Sequence, residues 1–110
     1  MAIVREPAVA GRFYPANAKR LNKDLDSYLP PQKEKVAAIG CIAPHAGYMY
    51  SGQVAGAVFS RIDIPSRCIV LGPNHTGHGH PLAIMTGGSW RTPLGDLSID
   101  QDLAEQLVKM

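Results

Sequence analysis

Apolar positions along this chain fall into two kinds of pattern. Helical spacing is clearest at Leu21, Leu25, Tyr28 and Leu29, with Lys19, Arg20, Lys23, Asp24 and Asp26 on the other faces. Asn17 stands where a helix cap is wanted and Pro30-Pro31 stops the run, so a helix is predicted between them. Gln53 to Arg61 repeats the spacing through Val54, Ala57 and Val58, with Ala55, Gly56 and Ala57 small enough for close packing. A last stripe, Leu103, Leu107 and Met110, follows a capping Asp100 and meets no stop signal, so the reading expects sequence beyond it.

The second pattern is a continuous apolar run. Val36 to Ile42 and Cys68 to Leu71 lack clean alternation, which suits strands covered on both faces, as in a parallel sheet. Strand, loop, helix, turn and strand within about 36 residues is the size of one βαβ unit. Such a unit crosses over right-handedly and leaves its strands parallel. Leu82 to Met85 is a further short apolar run, and alternation over Asp96 to Ile99 predicts an edge strand. Met1 to Pro15 reads as extended and irregular, with Phe13-Tyr14 either anchoring the arm or forming part of a binding rim. The fold class expected is α/β, a mainly parallel sheet flanked by helices, within one domain over residues 1–110.

Each predicted parallel strand runs out into a histidine. Cys41 to Gly52 places His45 where the apolar run ends and a glycine-punctuated loop begins; Ile69 to His75 repeats the arrangement. The carboxyl ends of parallel strands are where open α/β sheets bind their ligands. Strands about 4.8 Å apart, or about twice that, let two imidazoles reach one ion. Neutral imidazole suits Zn, Cu and non-haem Fe, and two of them need at least one more ligand. Asp96 and Asp100 are the nearest carboxylates by order, but nothing in their spacing singles them out, so the third ligand is expected downstream. A lone loop histidine is more often a hydrogen-bonded packing residue; the matching strand-end context is what raises these two. His78 and His80 read as solvated, and Tyr48 and Tyr50 as hydrogen-bond donors to the pocket or as packing residues.

Composition narrows the partners. With 45% hydrophobic and 18% charged residues the chain is an ordinary globular sequence, and its net charge of +2 is scattered rather than gathered into a basic stripe. No nucleic acid partner is expected. No apolar run approaches the roughly 20 residues that span a bilayer, and there is no signal segment, so no membrane partner and a cytoplasmic location are expected. Cys41 and Cys68 read as small buried hydrophobes rather than as a disulfide.

Ala43-Pro44-His45-Ala46-Gly47-Tyr48 with Ser51-Gly52, then Leu71-Gly72-Pro73-Asn74-His75, then Thr92-Pro93-Leu94-Gly95, with Ala10-Gly11-Arg12-Phe13-Tyr14-Pro15 near the start, resembles the MEMO family in order and spacing. In prokaryotes that family is the B component of the AmmeMemoRadiSam system. The resemblance implies the fold of class III extradiol dioxygenase catalytic subunits, which hold non-haem Fe(II) with two histidines and a carboxylate. It implies His45 and His75 as the first two metal positions and Phe13 as an aromatic of the pocket wall, with substrate entering over Phe13, Tyr48 and Asn74. It further implies a divalent metal, Fe(II) first with Cu or Zn as alternatives, and a dioxygenase-like oxidoreductase. The alternative is a non-catalytic protein that binds metal, a peptide or a small molecule as partner of a radical SAM-associated system. MEMO proteins continue well past this length, so residues 1–110 correspond to an amino-terminal portion that alone should bind metal weakly and not turn over substrate. Zinc-dependent hydrolysis ranks last, because no carboxylate is placed to activate water.

Overall fold

A computed structural model describes residues 3–110. Its elements are β1 (Val4–Arg5), α1 (Ala18–Tyr28), α2 (Tyr48–Ser60), β2 (Ser89–Thr92), β3 (Gly95–Ser98) and α3 (Gln101–Lys109). The chain is a small mixed α/β structure with three helices and one three-stranded sheet among the described residues.

The helix α1 forms where its cap and its stop signal place it. The Asn17 side-chain oxygen accepts the Arg20 N–H (3.1 Å), satisfying one of the donors a first turn leaves free. Leu21 is buried, and the Leu29 N–H closes the last turn on the Leu25 carbonyl (2.8 Å). At the far end of the chain Asp100 caps α3 by accepting the Leu103 N–H (3.0 Å). Ala104 is buried on this helix, whereas Met110, expected in its apolar stripe, is fully exposed.

The second helix departs from expectation in two ways. It begins at Tyr48, five residues before the predicted start, so Tyr48, Tyr50, Ser51 and Gly52 are helical rather than loop. Its buried face is Gly52, Gly56 and Ser60, with Ser51, while the expected packing residues Val54 and Ala57 lie outward. The reason is proximity to α1. A Cβ built on Gly52 would stand 2.9 Å from the Tyr28 ring, and one on Gly56 would fall onto the Tyr28 carbonyl. Only residues without side chains let the two helices meet here.

The sheet has the order β1-β2-β3, with β1 parallel to β2 and β2 antiparallel to β3. Pro93 and Leu94 make the two-residue turn between Thr92 and Gly95. The predicted edge strand Asp96–Ile99 is found as β3, one residue earlier; its partner β2 was not predicted, because Ser-Trp-Arg-Thr lacks an apolar alternation. Gly88 (φ +83°) lets the chain enter β2 against the Ile3 carbonyl, which accepts the Ser89 N–H (3.0 Å). Arg91 reaches both Glu6 (2.8 Å) and Asp96 (3.1 Å), tying the sheet across its exposed face.

The two apolar runs read as parallel strands do not form a ladder. Val36 makes an isolated parallel bridge to Ile62 and the rest of 36–42 and all of 68–71 are unpaired. Leu82 to Met85 forms no strand either. A strand exists only through hydrogen bonds to a neighbour, and apolar content cannot supply one. Cys41 and Cys68, expected to be buried in those runs, are accordingly exposed. The observed sheet is therefore mixed rather than mainly parallel, and it lies apart from the histidine-bearing segments. Among the described residues no helix is long and apolar enough to cross a membrane.

Candidate functional site

His45 is presented by the entry into α2. The Ser51 hydroxyl donates to the Ala46 carbonyl (3.0 Å), and the Tyr50 and Ser51 N–H groups close on the Gly47 carbonyl at 2.8 and 3.1 Å. From outside, the Tyr48 N–H donates to the Phe13 carbonyl (2.8 Å), so the amino-terminal arm is fastened beside the helix start. That arm is a compact turn. Arg12 and Phe13 N–H groups both reach the Val9 carbonyl, and the Gly11 N–H reaches that of Tyr14.

Around this junction three tyrosines gather. Tyr48 lies 5.5 Å from Tyr14 and 6.0 Å from Tyr28 between ring centroids, the latter pair edge-on at 88°. Such contacts favour a fixed ring arrangement beyond simple area burial. Burial pushes the Tyr48 phenol above its ordinary range, with the electrostatic effect of the neighbouring Tyr14 adding to the rise. Tyr48 is thus a neutral hydroxyl at physiological pH.

A cavity of about 480 Å³ opens here. Phe13, Tyr14, Tyr28, Pro44, His45 and Tyr48 contribute to its wall, with aliphatic side chains from α1 and Phe59 from α2 completing it. Phe13 and Tyr48 are thereby in the wall. A second cavity, about 510 Å³, lies between Tyr14, Tyr48 and the 92–97 hairpin and touches neither histidine. Tyr28 and Leu25 went unassigned as site residues in the sequence, where they read as the packing stripe of α1. An aromatic with a polar tip at the end of such a stripe was the available signal.

His75 arrives from the unpaired segment after Leu71, and its Nε2 atom stands 3.1 Å from Nε2 of His45. The rings are 5.2 Å apart and tilted by 39°. Two facing Nε2 atoms allow few arrangements: one ring donates its N–H to the other's lone pair, or both lone pairs face a common electrophile. Two imidazole nitrogens bonded at 2.0–2.1 Å to one ion stand roughly 2.8–3.4 Å apart for inter-ligand angles of about 90–110°. The observed separation lies within that range, so the residues present fit a shared ion. Both rings are exposed, which leaves them accessible to one.

The other candidates go elsewhere. Asp96 pairs with Arg91, while Asp100 pairs with Arg67 and caps α3. The Arg67 hydrogen bond and the Leu103 N–H hold the Asp100 carboxyl below its ordinary range. Among the described residues, no three His, Cys, Asp or Glu side chains gather as a metal-ligand group. Asn74 is outside the cavity wall, and its side chain is turned into its own loop. His78 and His80 are exposed in that loop.

Helices packed on each other beside a small mixed sheet, with an aromatic-walled cavity lined in part by His45 and with His75 in contact with that histidine, define a mixed α/β protein with a histidine pair beside a cavity. A family profile described as "Memo-like protein" matches residues 5–110. The chain belongs to the Memo-like family. It is similar to a "MEMO1 family protein" of Aquifex aeolicus (strain VF5), 49% identical over 109 residues that cover 96% of this chain and 40% of that protein. A "MEMO1 family protein" of Archaeoglobus fulgidus is 44% identical over 107 residues, covering 97% of this chain and again 40% of the relative. The chain thus spans about two-fifths of the length of the curated relatives it matches.

Proposed function

We propose that this chain supplies two ligands, His45 and His75, to a divalent-metal site in a Memo-like protein whose fold is that of the class III extradiol dioxygenase catalytic subunits. The observation that supports the reading is the 3.1 Å approach of the two Nε2 atoms. Fe(II) is the first choice of metal, and the third ligand comes from the part of the relatives' length that this chain does not span. When bound, Fe(II) with open coordination positions supplies oxygen activation, which makes the proposed activity that of a dioxygenase-like oxidoreductase.

The chain's own residues have defined tasks in this proposal. Phe13 and Tyr48 form an apolar, aromatic wall that suits a planar ring better than a charged group. Tyr48, kept neutral by burial, offers a hydroxyl donor at that wall. His45 lies in the wall itself, so a ligand filling the cavity is brought against one of the two metal-binding imidazoles.

The test uses the protein at the full length of its relatives. Loaded anaerobically with Fe(II) and freed of excess metal, it should retain one ion per chain, and His75→Ala should lose it. Oxygen uptake with a catechol-type ring substrate should likewise vanish in His75→Ala. Retention of the metal by that variant would overturn the site. Metal retention without oxygen uptake on any such ring would reject the oxidoreductase assignment and leave metal binding alone.

A further inference from the structure

The segment that carries His75 has an unusual construction. Among the described residues, no backbone-to-backbone hydrogen bond outside helices and strands involves any residue from 64 to 87, and this stretch contains no helix or strand. Something else must hold it. Between Asn74 and His78 that work falls to two side chains.

Asn74 makes most of the bonds. Its Oδ1 accepts the N–H of Thr76 (3.2 Å), the N–H of Gly77 (3.0 Å) and the hydroxyl of Thr76 (3.1 Å). Its Nδ2 donates to the carbonyl of His78 (2.8 Å). The Thr76 hydroxyl in turn accepts the His78 N–H (3.2 Å). One amide side chain therefore gathers three donors and an acceptor from the three residues after His75.

We propose that Asn74 is a positioning residue for His75, and that its amide, rather than the sheet, sets the direction in which the imidazole meets His45. The inference rests on the metal-site reading for its functional meaning. Its chemistry explains the residue type. Aspartate would keep the acceptor for Thr76 and Gly77 but would set a second carboxylate oxygen against the His78 carbonyl. Alanine loses every bond. The bonds are local, of the kind asparagine makes in tight loops, and each loop donor would otherwise turn to water and leave the backbone free. Outer partners that orient a liganding histidine typically change metal affinity by ten- to a hundredfold when removed. Asn74 differs from the usual case in acting through the backbone on either side of the ring, not through the ring's second nitrogen.

Two measurements on the full-length protein test this. In metal-free protein, amide hydrogen exchange at Thr76 and Gly77 should accelerate at least about tenfold in Asn74→Ala and remain near the parent rate in Asn74→Asp, which keeps the acceptor. In metal-binding competition with a chromophoric chelator, Asn74→Ala should bind Fe(II) or Zn(II) about ten- to a hundredfold more weakly. Its thermal midpoint should match the parent's, because the loop is exposed and its loss costs no core. A midpoint that falls along with affinity would mean a general structural role and overturn the proposal. So would unchanged exchange in Asn74→Ala, or unchanged affinity in a parent that does bind metal. If the parent binds no metal, the metal-site reading fails, and the exchange comparison still decides whether Asn74 holds the loop.

Discussion

At the scale of single residues, the decisive feature is that loop side chains here substitute for secondary structure. Asn74 organises the residues after His75, and Ser51 returns to the Ala46 carbonyl beside His45. Asp100 does similar work at another junction: Arg67 binds it through Nη2 at 3.1 Å and through Nε, joining the segment before Cys68 to the start of α3. The folded-state pKa of Asp100 lies below its ordinary 3.8, first through Arg67 and then through the Leu103 N–H. A depressed carboxylate contributes stability that is present above the unfolded value and is lost as pH falls through the folded one. Carboxyl-carbon NMR should therefore find Asp100 titrating below 3.8. Arg67→Ala should move that midpoint back up; an unmoved midpoint would show that the pairing does not persist in solution. The group is exposed, so the energetic effect is small and screened by salt.

At the scale of elements, the contact between α1 and α2 is set by absence of side chains. Gly56 lies under the Tyr28 carbonyl and Gly52 under its ring. Gly56→Ala would gain helix propensity worth about 1 kcal/mol but would drive a methyl into backbone that cannot rotate away. Overpacking of this kind costs about 1–3 kcal/mol, so the net change should be destabilising. Chemical denaturation of Gly56→Ala beside Gln53→Ala, an exposed position on the same helix, measures it. Equal stability of the two variants would refute the steric account. The same shift carries to function, because Tyr28 stacks edge-on against Tyr48 in the cavity wall.

At the scale of the whole molecule, the striking quantity is exposed apolar surface. Ile39, Ile42, Leu71 and Leu82 are each more than nine-tenths exposed, and Leu21 and Ala104 are the buried apolar residues of the core among those described. The Cα radius of gyration, 15.2 Å, exceeds the roughly 13 Å of a close-packed chain of this length. The relatives are about two and a half times as long as this chain, and contiguous exposed apolar surface is the kind that further chain covers. Leu71→Ala should consequently cost under about 0.5 kcal/mol in the isolated chain. In a protein of the full length of the relatives the same substitution should cost about 2–5 kcal/mol. Urea unfolding of both forms makes the comparison, and equal costs would show that Leu71 remains uncovered.

Local chemistry explains what could be read ahead of the structure. Asn17 with Pro30-Pro31 bounded α1, Asp100 opened α3, and alternation over 96–99 marked β3, because caps, breakers and period-two faces act within a few residues. His45 and His75 were paired by their matching surroundings, and the family resemblance rested on residues that are contiguous in the chain. Tertiary structure alone decided the rest. It put glycine, not valine, on the packing face of α2, since which face is buried depends on what lies opposite. It left 36–42 and 68–71 without strand partners, since a ladder needs a second chain segment in register. It engaged the Asn74 side chain within its own loop, and it brought two nitrogens thirty residues apart to 3.1 Å. Distances between separated residues follow from the path of the whole chain, which no local pattern contains.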